Sequence, residues 1–401
     1  MTEQPRWPLE GVKVLDLGQI YNGPYAGFLL AHAGADVVKV EPLGGEVLRQ
    51  RGGGLGVPFS LTILNTNKRG LAIDLKHPDG KALLIDLVRQ ADVLLENFAP
   101  GAMDRLGLGP ETLLEVNPRL IYGSSSGYGL SGPDRDNLAM DLTVQAVGGV
   151  MSINGPEDGP PLKAGLAVCD FAGGVHLYAG IMTALYERSV TGRGRVVEVA
   201  MQEAIYPFLT SNVTSMHGNG WKHPERRGNS HPTRGSAPYN VYRCADGHVA
   251  IICVQEAHWD SLLKLMGRED LKGDPRFETQ GIRAQNDAAV DEVVEAWTRT
   301  LPKAEAARLM REHRVPAAQV RNLEEVTADP HMHQRGMLHD IDHPEMGRVV
   351  LPTSPLRFHG SPAPDIALEP GIGEHTDVVL REWLGLDGAA IDALRKSDAV
   401  R

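Results

Sequence analysis

The chain has 401 residues, of which 42% are hydrophobic and 23% are charged, a balance typical of folded globular proteins and unlike that of disordered or collagen-like chains. Lys and Arg total 40 against 51 Asp and Glu, a net charge of -11, whereas a protein that binds nucleic-acid phosphates needs a broad basic surface. These values exclude nucleic acid as an expected partner.

The distribution of apolar and cysteine residues predicts a cytoplasmic protein without a membrane anchor. No apolar run reaches the roughly 20 residues that a membrane-spanning helix needs, and residues 1–10 lack the basic and apolar regions of a signal peptide. The three cysteines, Cys169, Cys244 and Cys253, are too few and too scattered for a disulfide framework or a CxxC zinc site. We therefore expect a reducing compartment and no membrane association.

The N-terminal part of the chain alternates strand and helix patterns. A β-rich run at 12–17 is followed by a helical pattern at 24–35 and a second strand at 36–40. Strand, helix and strand within about 30 residues are the signature of a βαβ unit and therefore of a parallel sheet. The pattern continues with strands at 71–75, 93–98, 120–124 and 196–199 and with helices at 78–90 and 171–188. These elements predict a doubly wound, Rossmann-like α/β domain.

The composition changes after the strand at 196–199. Residues 217–239 are rich in His, Arg, Gly, Asn and Pro and show no periodicity, which is typical of a linker. The remaining patterns are a hairpin at 241–243 and 249–254 and helices near 259–266, 288–298, 303–313, 373–384 and 389–394. We therefore predict a large domain beginning with residues 1–225, a small α+β domain with its linkers at 226–344, and a segment at 345–401 that returns to the large domain.

Three familiar motifs are absent or out of context. Residues 18–23, after the first strand, lack the G-x-G-x-x-G pattern of dinucleotide binding, and the glycine-rich loop at 52–56 lacks the P-loop pattern. Residues 123–127 match the nucleophile elbow G-x-S-x-G with Ser125 as the serine, but turn residues follow where a hydrolase needs a helix. Nucleotide-binding and hydrolase sites of these kinds are therefore disfavoured.

Four histidines crowd one short stretch: His331, His333, His339 and His343. Histidine clusters can bind transition metals. The spacing here is irregular, and no Cys or HExxH pattern accompanies it. We therefore interpret the cluster as solvent-facing or locally hydrogen-bonded, and we expect no metal site.

Asp170 lies at the start of the predicted helix at 171–188, where backbone N–H groups and the helix dipole favour a negative charge. Asp is among the commonest N-cap residues, so a capping role is the simplest interpretation. The neighbouring Cys169 would be a thiol nucleophile only if its pKa were lowered. A small buried residue is the simpler interpretation of that cysteine.

Short motifs occur in a specific order along nearly the whole chain: 9–16 (LEGVKVLD), Gly23-Pro24, 34–42 (GADVVKVEP), 67–69 (NKR), 92–101 (DVLLENFAPG), Asp141 with Gln145-Ala146, 191–194 (TGRG) and 373–376 (GEHT). Each motif is brief, but together they resemble the class III CoA-transferase family. The resemblance implies an enzyme that transfers CoA from an acyl-CoA to a carboxylic acid. It also implies an interlocked homodimer in which each chain threads through a ring formed by the other.

In the segment 168–174 (VCDFAGG), Asp170 falls on the position of the family's catalytic aspartate. By this resemblance the carboxylate attacks the thioester carbonyl to form a mixed anhydride, and the CoA thiolate then converts the anhydride into an aspartyl-CoA thioester. A carboxyl with the ordinary pKa of about 3.9 is ionised at neutral pH and needs no separate base. We expect no tightly bound cofactor, since CoA and acyl-CoA act as substrates.

The resemblance also assigns CoA contacts. The matching positions are Gln19, Ile20, Lys76, Asn97, Phe98 and Arg105. Lys76 and Arg105 are suited to neutralise phosphates, and Phe98 offers an apolar face to adenine. These residues predict a CoA site on the large domain.

The sequence leaves the oxyanion donors and the substrate pair open. Backbone N–H groups of Gly173 and Gly174, or of the loop at 52–56, are the candidate donors. Gln19 stands where formyl-CoA transferase has a histidine, and that enzyme's longer glycine-rich insertion is missing, which disfavours formate and oxalate. Four arginines are candidates for holding a second carboxylate of the acceptor, although solvated surface is the simpler interpretation of each: Arg135, Arg226, Arg227 and Arg234.

Two alternatives accompany this hypothesis. An α-methylacyl-CoA racemase would share the fold and use a His before Asp141 to move an α-proton, but this chain has Met140 there, which exchanges no proton. A non-catalytic CoA-binding protein would need no carboxylate at position 170. Asp170 therefore favours the transferase over the binding protein, and Met140 favours it over the racemase.

Overall fold

The computed structural model describes residues 6–52, 58–224, 226–233, 235–363 and 365–401. Arg234 and residues 53–56 of the glycine-rich loop, both considered above, lie outside the described residues. The strands are Lys13–Asp16 (β1), Asp36–Glu41 (β2), Arg69–Ala72 (β3), Val93–Glu96 (β4), Ile121–Ser126 (β5), Arg195–Ala200 (β6), Tyr239–Arg243 (β7), His248–Ile252 (β8), Ala317–Gln319 (β9), Leu338–His343 (β10) and Gly347–Pro352 (β11).

Most of the helices lie in the connections between these strands, and the last two follow β11. The helices are Asn22–Ala31 (α1), Phe59–Asn65 (α2), Pro78–Gln90 (α3), Ala102–Arg105 (α4), Pro110–Val116 (α5), Asp141–Val147 (α6), Val150–Ile153 (α7), Val168–Thr191 (α8), Met201–Ile205 (α9), Thr210–Gly218 (α10), Glu256–Met266 (α11), Gln280–Gln285 (α12), Asp287–Thr298 (α13), Lys303–Glu312 (α14), Leu323–Thr327 (α15), Pro330–Gln334 (α16), Thr376–Leu384 (α17) and Gly388–Lys396 (α18). Short 3-10 turns occur at Val47–Gly52, Tyr206–Leu209 and Glu269–Leu271.

Six parallel strands form the main sheet, in the order β3-β2-β1-β4-β5-β6. Val14 of β1 lies opposite Val37 of β2 on one side and Val93 of β4 on the other, so the order reverses between β1 and β4. In this topology ligands bind beyond the carboxyl ends of the strands, at the point of reversal. The predicted α/β fold with a parallel sheet is confirmed.

Alternate residues of the central strands pack into two hydrophobic layers. Leu15 of β1 lies in one cluster with Leu84 of α3, and Val14 lies in the other with Leu177 of α8. Because successive side chains of a strand point to opposite faces, the nearly continuous apolar runs of the parallel strands serve both layers. Helices therefore cover both faces of the sheet.

Helix α8 is the one helix of the described chain that is long and apolar enough to cross a membrane by length and composition. It packs against α1, β5 and β6, and 44% of its apolar window is buried. A core helix of a globular protein has the same composition. The helix is therefore weak evidence for a membrane span, and the expectation of no membrane association stays a prediction.

The chain divides into two compact units. The first holds the main sheet and runs to Gly148, then covers Gly165–Pro207 and Pro330–Arg401. The second comprises Gly149–Ala164 and Phe208–Asp329. Its antiparallel sheet has the order β7-β8-β9, and helices α11, α13 and α14 contribute to its separate core. The domain boundaries at 225 and 344 stay predictions.

The hairpin of β10 and β11 contains two of the four clustered histidines. His343 is buried with Nε2 3.2 Å from Oε1 of Glu369, and His339 Nε2 lies 3.1 Å from the carbonyl oxygen of Gly336. Across the described parts of the chain, no group of three or more His, Cys, Asp or Glu side chains is placed to hold a metal ion. Local hydrogen bonds thus account for His339 and His343.

Candidate active site

A cavity of about 570 Å³ lies at the carboxyl edge of the main sheet, where the loops after β1, β4 and β5 meet. Asp170 lines it together with five of the six predicted CoA contacts: Gln19, Ile20, Asn97, Phe98 and Arg105. The sixth, Lys76, is not part of the lining. It is exposed in the turn before α3, where its backbone N–H donates to Oδ1 of Asp74 at 2.8 Å.

The cavity wall also contains residues to which the motifs assign no CoA contact. They include Asn22, Ser125, Ser126, Arg135, Met140 and Met201. Asn22 follows the loop after β1, and Ser126 ends β5. The sequence could have indicated Asn22 and Ser126, because both lie at or just beyond the end of a predicted parallel strand. Loops at this edge of a parallel sheet face the ligand-binding crevice.

The loop between β1 and α1 is held by side chains from neighbouring segments. Asn97 accepts the Gln19 N–H at 2.7 Å through Oδ1 and donates from Nδ2 to the Gln19 carbonyl at 3.0 Å. The Ile20 N–H donates to Oε2 of Glu46 at 2.8 Å, and Ile20 has a φ of 63°, which is uncommon for a branched residue. The Asn97 amide therefore positions the loop, and its contact with CoA stays a prediction.

Two fully buried ion pairs lie beneath this loop. Lys68 Nζ is 2.7 Å from Oδ2 of Asp16, and Lys39 Nζ is 2.7 Å from Oε1 of Glu46. Lys39 also donates to the Gly18 carbonyl at 2.6 Å. Burial lowers the pKa of Lys68 to about 8, although Asp16 opposes that shift. Asp16, Lys39 and Lys68 of the motifs, together with Glu46, thus fix the loop that lines the cavity.

Asp170 is the third residue of α8, which begins at Val168. The N-cap residue is Ala167, and the cap is supplied from elsewhere: Oδ1 of Asp141 accepts the N–H groups of Cys169 at 2.8 Å and Asp170 at 3.3 Å. The interpretation of Asp170 as the N-cap is therefore wrong, because another carboxylate has that role. The Asp170 side chain instead lines the cavity.

Burial and the nearby Asp141 carboxylate raise the pKa of Asp170 to about 7. The expectation of an ordinary pKa at this position is wrong, because a charged carboxylate loses hydration inside the wall and is repelled by a second negative charge. The same causes raise the pKa of the fully buried Cys169 thiol to about 12. A thiolate nucleophile is therefore excluded at neutral pH.

Gly173 and Gly174 lie inside α8, where each N–H donates to a carbonyl four residues earlier. Their prediction as oxyanion donors is therefore wrong. A Cβ on Gly173 would lie 2.2 Å from Nδ2 of Asn22, and one on Gly174 would lie 2.6 Å from the Asn22 carbonyl oxygen. The glycine pair thus allows close contact between α1 and α8.

The outer part of the cavity wall holds two guanidinium groups, the carboxylate of Asp136 and an aromatic ring. Arg105 and Arg135 are both exposed and contribute two guanidinium groups, and Phe98 is half-buried beside them in the wall. Guanidinium groups bind phosphate with paired hydrogen bonds, and an aromatic face packs against a base. This wall can therefore accept a phosphorylated adenine derivative.

Ser125 has no nucleophile-elbow geometry. It lies within β5, is buried, and pairs opposite Val199 of β6. A nucleophile elbow needs a sharp turn from strand to helix at the serine, but here β5 continues to Ser126 and no helix starts there. The hydrolase interpretation is therefore excluded.

Comparison with known proteins gives a consistent result over almost the full length. Residues 9–376 match the family model described as CoA-transferase family III. The chain is 36% identical to a formyl-CoA:oxalate CoA-transferase of Streptomyces avermitilis, covering 98% of this chain and 99% of that protein. It is also 36% identical to a succinyl-CoA:mesaconate CoA-transferase of Haloarcula hispanica, covering 93% and 96%. Among solved structures, a CAIB/BAIF family protein from Brucella suis matches with a TM-score of 0.83 and 32% identity, covering 95% of this chain and 100% of that one.

Proposed function

This chain belongs to CoA-transferase family III and is a CoA-transferase that uses CoA thioesters, and on that basis we propose that Asp170 is the covalent nucleophile of the transfer. The observation that carries the proposal is the placement of the Asp170 carboxyl. Asp141 takes over the capping of α8, so Asp170 is left on the wall of the cavity that also holds Phe98 and Arg105.

The proposed transfer has two halves. The Asp170 carboxylate attacks the thioester carbonyl carbon, the C–S bond breaks, and CoA leaves as a thiolate, so that the acyl group and Asp170 form a mixed anhydride. The thiolate then attacks the aspartyl carbonyl carbon, so that the donor acid leaves as a carboxylate and Asp170 carries CoA as a thioester. The acceptor carboxylate reverses these two steps, which yields the new acyl-CoA and regenerates Asp170.

The raised pKa of Asp170 suits this role. A more basic carboxylate is a stronger nucleophile once it is ionised, because the electron pair it donates is less stabilised by its surroundings. An aspartate on the open surface would be ionised more fully but would be less reactive. Burial in the cavity wall therefore lowers the ionised fraction of Asp170 and raises the reactivity of the ionised form.

We place CoA along this wall, with its phosphates near Arg105 and its adenine against Phe98. The support is the shared cavity and the chemistry of the two side chains. Gln19, Ile20 and Asn97 form the neighbouring wall. Lys76 lies outside the lining, so its proposed role is confined to a phosphate at the exposed end of CoA.

The acceptor that we propose is a short dicarboxylic acid. The names of relatives contain oxalate and mesaconate, both dicarboxylic acids. Arg135 lines the cavity and offers a guanidinium group to a second carboxylate. Gln19, which stands where formyl-CoA transferase has a histidine, favours a donor and acceptor other than formyl-CoA and oxalate.

We further propose that the protein is a homodimer of the cytoplasm. The exposed apolar side chains of α8, Val175, Tyr186 and Val190, support a partner copy. The net charge and the cysteine content agree with the proposed compartment.

The test of the nucleophile is covalent trapping. The protein is incubated with succinyl-CoA, formyl-CoA or acetyl-CoA, treated with borohydride or hydroxylamine, and digested for mass spectrometry. We expect modification at Asp170, because both reagents attack an aspartyl thioester. Asp170→Asn and Asp170→Ala should abolish transfer while CoA still binds.

Asp79→Asn is the matched control, since Asp79 is also an acidic residue in the first turn of a helix but is exposed on α3. Transfer that persists in Asp170→Ala would contradict the proposal. Exchange of the α-hydrogen with deuterated water, without need of an acceptor acid, would instead indicate a racemase. Binding of CoA without labelling or exchange would indicate a non-catalytic protein.

A further inference from the structure

Two polar side chains in the cavity wall are fully buried and have no hydrogen-bond partner in the described parts of the chain. Asn22 is 2% exposed with both amide atoms unpartnered, and Ser125 is 1% exposed with Oγ unpartnered. Buried amides and hydroxyls are nearly always hydrogen-bonded, because leaving them unpaired costs free energy. Unpaired groups on the wall of a substrate cavity point to a partner that the substrate supplies.

Asn22 lies close to the nucleophile. It is the first residue of α1, and its Nδ2 packs against Gly173, where an added Cβ would lie 2.2 Å away. Gly173 is three residues after Asp170 on α8, which places the two on the same side of the helix, one turn apart. The amide is therefore fixed beside the turn that carries the reacting carboxylate.

Several nearby backbone donors already have acceptors. In the loop between β1 and α1, the consecutive N–H groups of residues 18–20 donate to side-chain oxygens. At the start of α8, the N–H groups of Cys169 and Asp170 donate to Asp141. A negative charge that develops on a carbonyl oxygen needs donors aimed at it before the reaction begins. The unpartnered side chains of the wall are therefore the candidates for this role.

We propose that Asn22 is a catalytic residue whose Nδ2 donates a hydrogen bond to the thioester carbonyl oxygen as Asp170 attacks that carbonyl carbon. The inference rests on the proposed function, because it needs Asp170 as the nucleophile. The oxygen becomes negative in the tetrahedral intermediate and becomes a neutral carbonyl again when the C–S bond breaks. The hydrogen bond is thus strongest in the transition state, which is the condition for a gain in rate.

Asn22 suits this role better than Ser125. The Asn22 amide has two N–H donors in one plane and is packed between α1 and the glycine pair of α8. The hydrogen of the Ser125 hydroxyl can rotate about the C–O bond, and the residue lies on strand β5. A donor that must first be oriented contributes less to catalysis than one that is already fixed.

The experiment measures the rate of Asp170 labelling under single-turnover conditions in wild type, Asn22→Ala, Asn22→Leu and Ser125→Ala. The probe is whichever of succinyl-CoA, formyl-CoA and acetyl-CoA labels the wild type fastest. We expect labelling to slow by roughly 100-fold in both Asn22 variants. Affinity for free CoA should change by less than about twofold, since CoA lacks the carbonyl on which a transition-state donor acts. Ser125→Ala should slow labelling much less than either Asn22 variant does.

Asn22→Leu separates donation from packing, because leucine has a similar volume but no polar group. Labelling by Asn22→Leu at the wild-type rate would overturn the proposal in favour of packing. Slow labelling in Ser125→Ala with normal labelling in Asn22→Ala would overturn it in favour of the serine. Loss of CoA affinity in both Asn22 variants would overturn it as well, because it would mean that Asn22 maintains the structure of the site and does not act on the transition state. Failure of the wild type to label at Asp170 would refute the proposed function itself, which distinguishes that failure from the others.

Discussion

At the residue scale, the Asp170 carboxyl determines the pH dependence of the reaction, because burial and Asp141 raise its pKa to about 7. Only the ionised form attacks the thioester, and a higher pH increases its fraction. We therefore expect kcat/KM for the acyl-CoA to rise through about pH 7 and to level off above it, falling about tenfold per unit well below that pH. Initial rates between pH 5.5 and 8.5 measure this.

Asp141→Asn is the matched variant for this prediction. An asparagine oxygen can still accept the N–H groups that cap α8, but the negative charge beside Asp170 is gone. The rising limb of the profile should therefore move to lower pH. A profile that is flat between pH 5.5 and 8.5, or that does not move in Asp141→Asn, would contradict the assignment.

The same carboxyl has a consequence for stability. A folded pKa of about 7 against about 3.8 for the free side chain means that the folded protein binds this proton more tightly than the unfolded chain does. The contribution of Asp170 to the free energy of unfolding therefore falls as pH rises from about 4 to about 7. We expect Asp170→Asn, which stays neutral, to gain on the order of 2 kcal/mol over wild type between pH 5 and pH 8. Thermal unfolding of both proteins at the two pH values measures the gain, and an unchanged difference would contradict it.

Site residues differ in how far the sequence could predict them. Asp170, Gln19 and Phe98 were assigned from motifs, and the fold brings all three to one cavity because parallel strands place their carboxyl ends together. Asn22 could not be assigned in this way, since its importance comes from hydrogen bonds that it does not make. The raised pKa of Asp170 could not be predicted from the sequence either, because it depends on burial and on a carboxylate 29 residues away in the chain.

At the element scale, the buried ion pair of Lys68 and Asp16 holds the end of β1 and the loop that lines the cavity. Replacing Lys68 by Met would leave the Asp16 carboxylate buried without its counter-charge. We therefore expect Lys68→Met to lower the free energy of unfolding by roughly 3–5 kcal/mol. Denaturant unfolding measures the loss, with Lys396→Met at an exposed position of α18 as the control.

A double variant tests whether the loss comes from the uncompensated charge. In Lys68→Met with Asp16→Asn the buried charge is absent, so part of the stability should return, and the two effects should not add. A full additive loss would mean that the pair contributes through packing alone. Weaker CoA binding in Lys68→Met would show in addition that the loop depends on this pair.

The elements themselves were predictable where local signals were strong. Helix α3 has the predicted bounds, because a proline at its start and a regular apolar pattern define it. Helix α8 begins three residues before the predicted 171, because its cap comes from Asp141 in a distant segment. The hairpin of β10 and β11 was not predicted, since the polar and histidine residues of β10 mask its alternation. Sequence patterns therefore miss boundaries that depend on long-range contacts.

At the scale of the whole molecule, the first unit presents an apolar strip that its own core does not cover. On α8, Tyr186 and Val190 are 75% and 73% exposed, and Val175 lies on the same helix face. The neighbouring strand β6 is an edge of the main sheet. Contiguous exposed apolar surface of this kind marks interaction sites, and the family resemblance predicts that a second copy covers it.

The last prediction is that the protein is a homodimer through this strip. Tyr186→Glu combined with Val190→Glu would place two charges in an apolar interface, so we expect the variant to become monomeric and to unfold at lower temperature. Light scattering coupled to gel filtration measures the mass. Ala393→Glu, on an exposed position of α18, adds one charge away from α8 and should leave the dimer intact. A monomeric wild type would contradict the dimer. A double variant that stays dimeric would mean that the interface lies elsewhere, because two buried carboxylates facing a partner copy are too costly for association to survive.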